Sequence, residues 1–300
     1  MTMTDSSDHG TAGTVGFVGF GAMASRMGRN LEASGYQIVA YTPSGKGGDG
    51  TTRFLPSPRQ LAEASGGTVI LCVPDDEALE SAAYGPDGVL AGMAAGTLLI
   101  NTSSVSPEAS LALAEAAGER GIAALDAPVS GSTPEADAGT LVVLVGGEAE
   151  VVARAQPIFD IIGQTTIHAG PAGCGSKLKL VINGIMGVGL AAVAEGFSYG
   201  VAAGLDRDML FEALDSVAVI SPHHKRKLKA ARAGDFRPQF PTRLMQKDMR
   251  LLLDAAARVA APVPTMATTT QLLSLTRRGH ANDDYSALFA VLESMVANTP

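Results

Sequence analysis

The order of hydrophobic patterns constrains the fold of this chain more than any other feature. Between residues 14 and 170, β-branched runs such as TVGFVGF, YQIVAY, TVILCV and TLVVLVGG alternate with helical segments such as ASRMGRNLEASG and SPEASLALAEAAGERG. This alternation is typical of a mostly parallel sheet covered by helices on both faces. After Gly170 the strand patterns vanish and only helical patterns remain. The sequence therefore predicts an α/β domain followed by an all-α C-terminal domain.

The first strand leads into a glycine-containing turn that is typical of dinucleotide binding. Gly19-Phe20-Gly21-Ala22-Met23-Ala24 has the pattern GxGxxA and comes between a strand and a helix, the context that gives the pattern its meaning. Gly19 permits the tight turn, and Gly21 lets a pyrophosphate approach the backbone at the helix N-terminus. The alternative is a purely structural glycine turn. We expect an NAD(P)-binding domain of the Rossmann type.

These patterns predict three segments along the 300 residues. Residues 1–13 are a polar, disordered tail, residues 14–172 the NAD(P)-binding Rossmann domain, and residues 173–300 an all-helical substrate-binding and dimerisation domain. The helices expected in the last segment are Lys177–Ala203, Asp206–Val217, Pro222–Ala233, Thr242–Ala260, Val263–Gly279 and Tyr285–Val296.

Composition excludes several classes of function. The net charge of −8 argues against nucleic acid or an anionic membrane as the main partner. The two cysteines lack metal-binding spacing, the adjacent His223 and His224 point to different helix faces, and we expect no metal site. The apolar run Leu178–Ala194 is interrupted by Lys and Asn, which favours a buried helix over a membrane span. Because the N-terminal segment lacks the pattern of a signal peptide, we expect a cytoplasmic protein.

The loop after the second strand bears on the choice of cofactor. NAD-binding chains place an acid there to bind the ribose 2′-hydroxyl, whereas this chain has Thr42-Pro43-Ser44-Gly45-Lys46 and no carboxylate before Asp49. Thr42, Ser44 and Lys46 suit a 2′-phosphate, so NADPH is favoured and NADH is the alternative. The alternative is that the loop from Thr42 to Gly50 is only a flexible, glycine-rich surface segment without a role in binding.

Polar clusters follow three later strands, at the edge of the sheet where ligands bind. Residues 74–76 and 101–104 are expected to border the cofactor. The cluster at 126–132 is rich in hydroxyl groups and glycine, which suits holding a carboxylate through backbone N–H and Ser hydroxyl groups. Each cluster is alternatively a routine strand-to-helix turn, and we expect Asp126 to be a structural hydrogen-bonding residue.

Lys179 and Asn183 are the strongly polar side chains within the apolar helix pattern that begins at Leu178. Four residues apart, they share one helix face. Lys177, two residues earlier, has Val181 at the corresponding position and is expected to be solvated. An isolated helix lysine usually reaches solvent as well, so Lys179 needs a buried partner or ligand to have a chemical role.

Four motifs together resemble the β-hydroxyacid dehydrogenase family over almost the whole chain. GFVGFGAMASRMGRNL is similar to its cofactor motif, DAPVSGSTPEADAGTL to its substrate motif, GPAGCGSKLKLVINGIMG to its catalytic motif, and PQFPTRLMQKDMRLLLDAA to a segment of its second domain. The sequences of these motifs are most similar to those of the glyoxylate/succinic-semialdehyde reductase branch. The resemblance implies a homodimer in which the helical domains pack together.

The resemblance also implies roles for individual residues. Lys179 and Asn183 are the expected catalytic residues, and the expected substrate-binding residues are Ser130, Gly131, Ser132, Phe240 and Lys247. The expected cofactor-binding residues are Gly19, Gly21, Ala22, Met23, Thr42, Ser44, Val73, Pro74, Ser104, Lys247 and Asp248. The chain departs from the family in two places. Thr42-Pro43-Ser44 replaces the usual Asn-Arg-Thr of NADP users, and Ser132 replaces a glycine.

The implied activity is the NADPH-dependent reduction of a small carboxylate-bearing aldehyde or keto acid to the hydroxy acid. Lys179 is the expected proton donor, because burial lowers the pKa of a lysine from its ordinary ~10.4. Two alternatives remain open at this point. One is an imine reductase or reductive aminase, and the other is a dinucleotide-binding sensor without catalysis.

Overall fold

A computed structural model describes residues 13–48 and 52–297. The predicted disordered tail, apart from Gly13, and Asp49 lie outside the described residues. The chain divides into two compact units, the first ending at Lys179 and the second beginning at Leu180.

The first unit is built on a nine-stranded sheet. The strand order is β3-β2-β1-β4-β5-β6-β8-β7, and β9 pairs with β8. Pairing is parallel from β3 to β6 and between β8 and β9, whereas β8 is antiparallel to β6 and β7, so the prediction of a mostly parallel sheet is confirmed. The strands are β1 (Thr14–Val18), β2 (Gln37–Tyr41), β3 (Arg53–Phe54), β4 (Thr68–Leu71), β5 (Leu98–Asn101), β6 (Ala123–Asp126), β7 (Val129–Ser130), β8 (Leu141–Gly146) and β9 (Gly163–Gly170).

Helices cover both faces of this sheet. Successive strand residues point to opposite faces, so Phe17 and Val18 of β1 enter two separate hydrophobic cores. One of these helices begins with a side-chain cap, in which the Ser106 hydroxyl accepts from Ala109 N at 3.1 Å. The helices of the unit are α1 (Ala22–Ala33), α2 (Pro58–Ala64), α3 (Asp76–Ala83), α4 (Val89–Gly92), α5 (Pro107–Gly118), α6 (Thr133–Asp137) and α7 (Ala149–Ile162).

The rest of the described chain is helical, as predicted. Its core is rich in aromatic residues, among them Phe197 and Phe211, whose ring centroids are 4.4 Å apart. The helix predicted to begin at Lys177 begins three residues earlier, at Cys174. A 3₁₀ turn, Tyr285–Ala287, precedes the last helix. The helices are α8 (Cys174–Ala202), α9 (Arg207–Ser216), α10 (Pro222–Ala233), α11 (Thr242–Arg258), α12 (Pro264–His280) and α13 (Leu288–Ala297).

Helix α8 starts in the first unit and continues into the second. Among the described residues it is the one helix long and apolar enough to cross a membrane by length and composition, and half of its most apolar stretch is buried inside the protein. A core helix of a folded domain meets the same criterion. The expectation of a buried helix therefore holds for half of this stretch.

Candidate functional site

The turn between β1 and α1 has the geometry that a dinucleotide phosphate requires. Gly19 has φ +84°, and a Cβ there would lie 2.2 Å from Cys72 O, so only glycine fits. Gly21 is the N-cap of α1 and provides no side-chain cap, and the space where its Cβ would project is open. The first turn of α1 carries no acidic residue. The N–H groups of this helix N-terminus therefore fit an anion such as the cofactor pyrophosphate.

Hydrogen bonds connect the chain segments at the carboxyl ends of β4 and β5. Val73 N donates to Ser103 Oγ at 2.9 Å, and Ser103 N donates to Asn101 Oδ1 at 3.1 Å. Asn101 is 1% exposed, and its Nδ2 has no hydrogen-bond partner within the described residues. A buried unpaired donor is costly unless a ligand or water satisfies it. The predicted residues Val73 and Pro74 thus follow β4 and Ser104 follows the adjacent β5, the strand whose last residue carries the unsatisfied donor.

The predicted ribose loop is held together by its own hydroxyl groups. Thr42 Oγ1 donates to Lys46 O at 2.8 Å and accepts from Lys46 N at 3.1 Å, and it lies 3.3 Å from Ser44 Oγ. Gly45, at φ +63°, completes the turn. The Thr42 hydroxyl therefore shapes the loop, while the side chains of Ser44 and Lys46 are exposed.

The loop predicted to hold a substrate carboxylate already binds a carboxylate of the chain. Ser132 N and Ser132 Oγ both donate to Glu135 Oε2, each at 2.8 Å. Gly131 has φ +133°, and a Cβ there would lie 2.7 Å from Leu141 Cδ2. Ser130 is half-buried at the end of β7. The Glu135 contact was missed from the sequence, although Ser132-x-x-Glu135 is the signature of a capping box.

Asp126 fixes the start of α8. Its Oδ1 accepts from Gly173 N at 2.8 Å and its Oδ2 from Ser176 N at 2.7 Å, which satisfies two N–H groups of the helix N-terminus. A Cβ at Gly175 would lie 2.4 Å from Leu144 O, so the helix approaches the end of the sheet closely. Burial raises the pKa of Asp126 above its ordinary value, although these N–H donors oppose the shift. The expected structural role of Asp126 is confirmed.

The two predicted catalytic residues are both buried in α8. Lys179 is 8% exposed and Asn183 1%, whereas Lys177 is exposed as expected. Asn183 Nδ2 donates to Asp248 Oδ2 at 2.6 Å, and Lys247 Nζ lies 2.9 Å from Asp248 Oδ1. Asn183 Oδ1 is buried and has no hydrogen-bond partner in the described part of the chain. The structure thus brings Asn183, Lys247 and Asp248 together.

The two adjacent histidines have structural partners. His224 Nε2 lies 3.0 Å from Met186 O, and its ring covers Gly189, where a Cβ would lie 2.3 Å from His224 Cε1. The His223 ring contacts the hydroxyl of buried Tyr285. Burial, followed by the charge of Lys227, lowers the pKa of His223 to about 4, so the ring is neutral at pH 7.

The chain is similar to known oxidoreductases in both halves. Residues 14–170 match the NAD binding domain of 6-phosphogluconate dehydrogenase, and residues 173–292 match the NAD-binding domain of NADP-dependent 3-hydroxyisobutyrate dehydrogenase. The chain is 35% identical to 2-(hydroxymethyl)glutarate dehydrogenase of Eubacterium barkeri over 79% of each chain. It is 33% identical to the NAD-dependent L-serine dehydrogenase of Pseudomonas aeruginosa over 89% of this chain and 94% of that one. The structure of Mycobacterium tuberculosis 3-hydroxyisobutyrate dehydrogenase with L-serine matches with a TM-score of 0.81 and 28% identity, covering 93% of this chain and 99% of that chain.

Proposed function

The chain belongs to the 3-hydroxyisobutyrate dehydrogenase family, and from that premise we propose that it reduces a small carboxylate-bearing aldehyde or keto acid with NADPH. Relatives are named dehydrogenases of hydroxy acids or reductases of glyoxylate and succinic semialdehyde, and the chain is an oxidoreductase of this type with NAD(P)-binding domains. The proposed substrates are glyoxylate, succinic semialdehyde or a similar compound, and the product is the corresponding hydroxy acid.

The observation that carries the proposal is the contrast between two lysines of one helix. Lys177 is exposed, whereas Lys179 is 8% exposed and lies one helical turn before Asn183. Burying an ammonium costs free energy unless it is paired or acts on a ligand. Asp248 holds the amide of Asn183, whose Oδ1 is left as a buried acceptor. The Lys179 ammonium and the hydroxyl group of a hydroxy acid product are both donors that suit this oxygen.

In the proposed reaction the nicotinamide cofactor, when bound, supplies the hydride. Lys179 gives a proton to the carbonyl oxygen of the substrate, and its positive charge stabilises the negative charge that grows there. Asn183 Oδ1, held in place because Asp248 binds the amide nitrogen, accepts from the Lys179 ammonium or from the hydroxyl group that the reduction forms. Ser130, Gly131 and Ser132 hold the substrate carboxylate, with Phe240 and Lys247 as further substrate contacts.

Assays on a substrate panel test this proposal. Oxidation of NADPH is followed with glyoxylate, succinic semialdehyde and related semialdehydes, for the wild type and for Lys179→Ala. Loss of a proton donor should lower kcat by ~100-fold or more while cofactor binding persists. Lys177→Ala is the matched control and should keep the wild-type rate. If Lys179→Ala also keeps it, the assigned mechanism is wrong, and if the wild type turns over no carbonyl, the proposed function is wrong.

The preference for NADPH is the second part of the proposal. It is supported by the absence of a carboxylate between Thr42 and Lys46 at the end of β2. Thr42→Asp should repel a 2′-phosphate and bind a 2′-hydroxyl, shifting the ratio of kcat/KM for the two cofactors towards NADH by about tenfold or more. A wild type that already prefers NADH would contradict this part without affecting the role of Lys179.

A homodimer is the third part, and an exposed apolar stripe on α8 supports it. Val181, Ile185 and Tyr199 are 49%, 62% and 74% exposed and lie on one face of the helix. Ile185→Glu should convert a dimer into monomers in sedimentation velocity, whereas Val219→Glu, at an 85% exposed position outside this stripe, should not. A monomeric wild type would contradict the dimer.

The proposed compartment is the cytoplasm. Fractionation of cells tests this, since the activity should be recovered in the supernatant and not in the membrane pellet.

A further inference from the structure

Lys227 and Asp284 form a buried ion pair in the second unit. Lys227 Nζ donates to Asp284 Oδ2 at 2.7 Å, and the two side chains are each 3% exposed. The ammonium also lies 5.1 Å from the centroid of the Tyr285 ring. A pair removed from water in this way is stabilising only when its geometry is good and its remaining hydrogen-bonding groups are satisfied.

The Asp284 carboxylate also accepts hydrogen bonds from backbone N–H groups. Oδ2 also accepts from Gln239 N at 3.1 Å and from Phe240 N at 3.0 Å, and Oδ1 accepts from Ser286 N at 3.1 Å. Burial alone would raise the pKa of Asp284, but the Lys227 ammonium and these donors hold it below its ordinary value. The carboxylate is therefore ionised at neutral pH and holds two consecutive N–H groups of one turn.

That turn leads directly into α11. Tyr285 N donates to Phe240 O at 3.1 Å, and Thr242 N, the first of the helix, donates to Asp283 O at 2.8 Å. Phe240 is half-buried, with its ring centroid 6.0 Å from that of Tyr285. Helix α11 then carries Lys247 and Asp248, the partners of Asn183. The backbone on either side of Asp284 thus holds the backbone at Phe240 and the origin of this helix, and the Tyr285 side chain contacts the Phe240 ring.

We propose that the buried Lys227–Asp284 pair is a positioning device that holds the Gln239–Phe240 turn in place for substrate binding. Neither side chain touches substrate in this account, since both act through the turn. The inference rests on the proposed function for the role of Phe240, but the effect of the pair on the turn is independent of it. Losing the pair should weaken substrate binding more than the chemical step.

Asp284→Asn tests the proposal, because it keeps the shape of the side chain and removes its charge. Lys227→Met/Asp284→Asn is the second variant, in which neither charge is left buried alone. Leu273→Ala is the matched control, since it truncates a core side chain of the same unit that makes none of the hydrogen bonds of the turn. Steady-state kinetics are combined with hydrogen exchange of the peptide spanning residues 236–243.

Both Asp284 variants should raise the exchange rate in that peptide about tenfold through local opening. They should also raise the substrate KM about tenfold, with kcat within about threefold of the wild-type value. Leu273→Ala should lower the urea midpoint comparably and leave the substrate KM near that of the wild type. Unchanged exchange in the peptide, or a substrate KM that rises equally in Leu273→Ala, would overturn the proposal. If the wild type turns over no substrate, the proposed function has failed, and the exchange measurement alone decides for or against the positioning role.

Discussion

Asp126 in the first unit and Asp284 in the second both bind backbone N–H groups, but only Asp284 does so beside a buried cation. Each is buried, at 3% and 2% exposure, and each accepts two backbone N–H groups at the start of a functional segment. Asp284 faces the Lys227 ammonium, whereas no cation pairs with Asp126 in the described part of the chain. The pKa of Asp126 is accordingly raised and that of Asp284 lowered.

The difference shows which groups stabilise the buried negative charge of each carboxylate. Asp126 relies on the N-terminus of α8 alone, whose partial positive charge and N–H groups stabilise a nearby anion without a formal charge of opposite sign. Asp284 is the N-cap of the 3₁₀ turn Tyr285–Ala287, which continues into α13, and it has the Lys227 ammonium as a further partner. Removing a charge should therefore have unequal consequences at the two places.

Removing the lysine should have the largest effect. Lys227→Met leaves a buried carboxylate without its cation, which typically costs about 3–5 kcal/mol of unfolding free energy. Urea unfolding followed by circular dichroism should show an earlier transition for the second unit, and pulsed hydrogen exchange should assign it there. Glu293→Gln, which breaks the more exposed Arg207–Glu293 pair, is the control and should cost at most about 1 kcal/mol. Equal losses in the two variants would contradict the buried pair as the stronger element.

Asp126→Asn should cost less, because no cation is left behind. The amide keeps one acceptor, so one of the two N–H groups, that of Gly173 or that of Ser176, is left buried and unpaired, at about 1–3 kcal/mol. The start of α8 should loosen, and with it the placement of Lys179, so kcat should fall more than the cofactor affinity. Equilibrium unfolding and steady-state kinetics measure these effects. A loss as large as that in Lys227→Met would show that the charge of Asp126 is essential after all.

Much of this arrangement has a local signal in the sequence, and the two aspartates mark where such signals end. The glycine turn at Gly19 and the helices after Gly173 follow from spacing within a few residues, and the structure has them close to the predicted places. The cap at Ser106 has an equally local signal, a serine directly before Pro107. The burial of Lys179 and the exposure of Lys177 also follow from a short-range pattern, while their chemical roles stay predictions.

The partners of the two aspartates could not be predicted in the same way. Asp126 binds N–H groups 47 and 50 residues further along the chain, and Lys227 and Asp284 are 57 residues apart. No spacing rule connects such distant residues, because only the tertiary fold brings them together. Lys227 instead looks like one more solvated residue of a basic helix end, next to Lys225 and Arg226.

Acidification should change the stabilities of the two units in opposite directions. The pKa of His223 is lowered to about 4, by burial first and then by Lys227, His224 and Arg226, with Asp284 opposing. As pH falls from the ordinary ~6.5 towards 4, the unfolded chain binds a proton that the folded ring does not, so the second unit loses stability. Asp126 has the opposite sign, since an acid with a raised pKa takes up its proton first in the folded state. The lowered pKa of Asp284 acts only below its ordinary 3.8.

Between pH 7 and pH 5.5 the loss at His223 should be on the order of 1 kcal/mol, after allowance for the partial exposure of the ring. Urea unfolding with pulsed hydrogen exchange at both pH values resolves the two units. His223→Asn should flatten the dependence in the second unit and leave the first unchanged. A first unit that loses more stability than the second over this range would reverse the comparison.

The smallest effect on stability is expected at Glu135, a third carboxylate that binds a backbone N–H at the start of a helix. Glu135 is only half-buried, and glutamine keeps an acceptor for Ser132, so Glu135→Gln should cost no more than about 0.5 kcal/mol. Its kinetic effect should be larger. Because Glu135 places a negative charge on the donors proposed to hold the substrate carboxylate, Glu135→Gln should lower the KM for carboxylate substrates and leave the KM for a neutral aldehyde unchanged. Steady-state kinetics with both substrate types measure the difference. An equal change for the two types would assign Glu135 to the helix cap alone and remove Ser132 from the proposed carboxylate site.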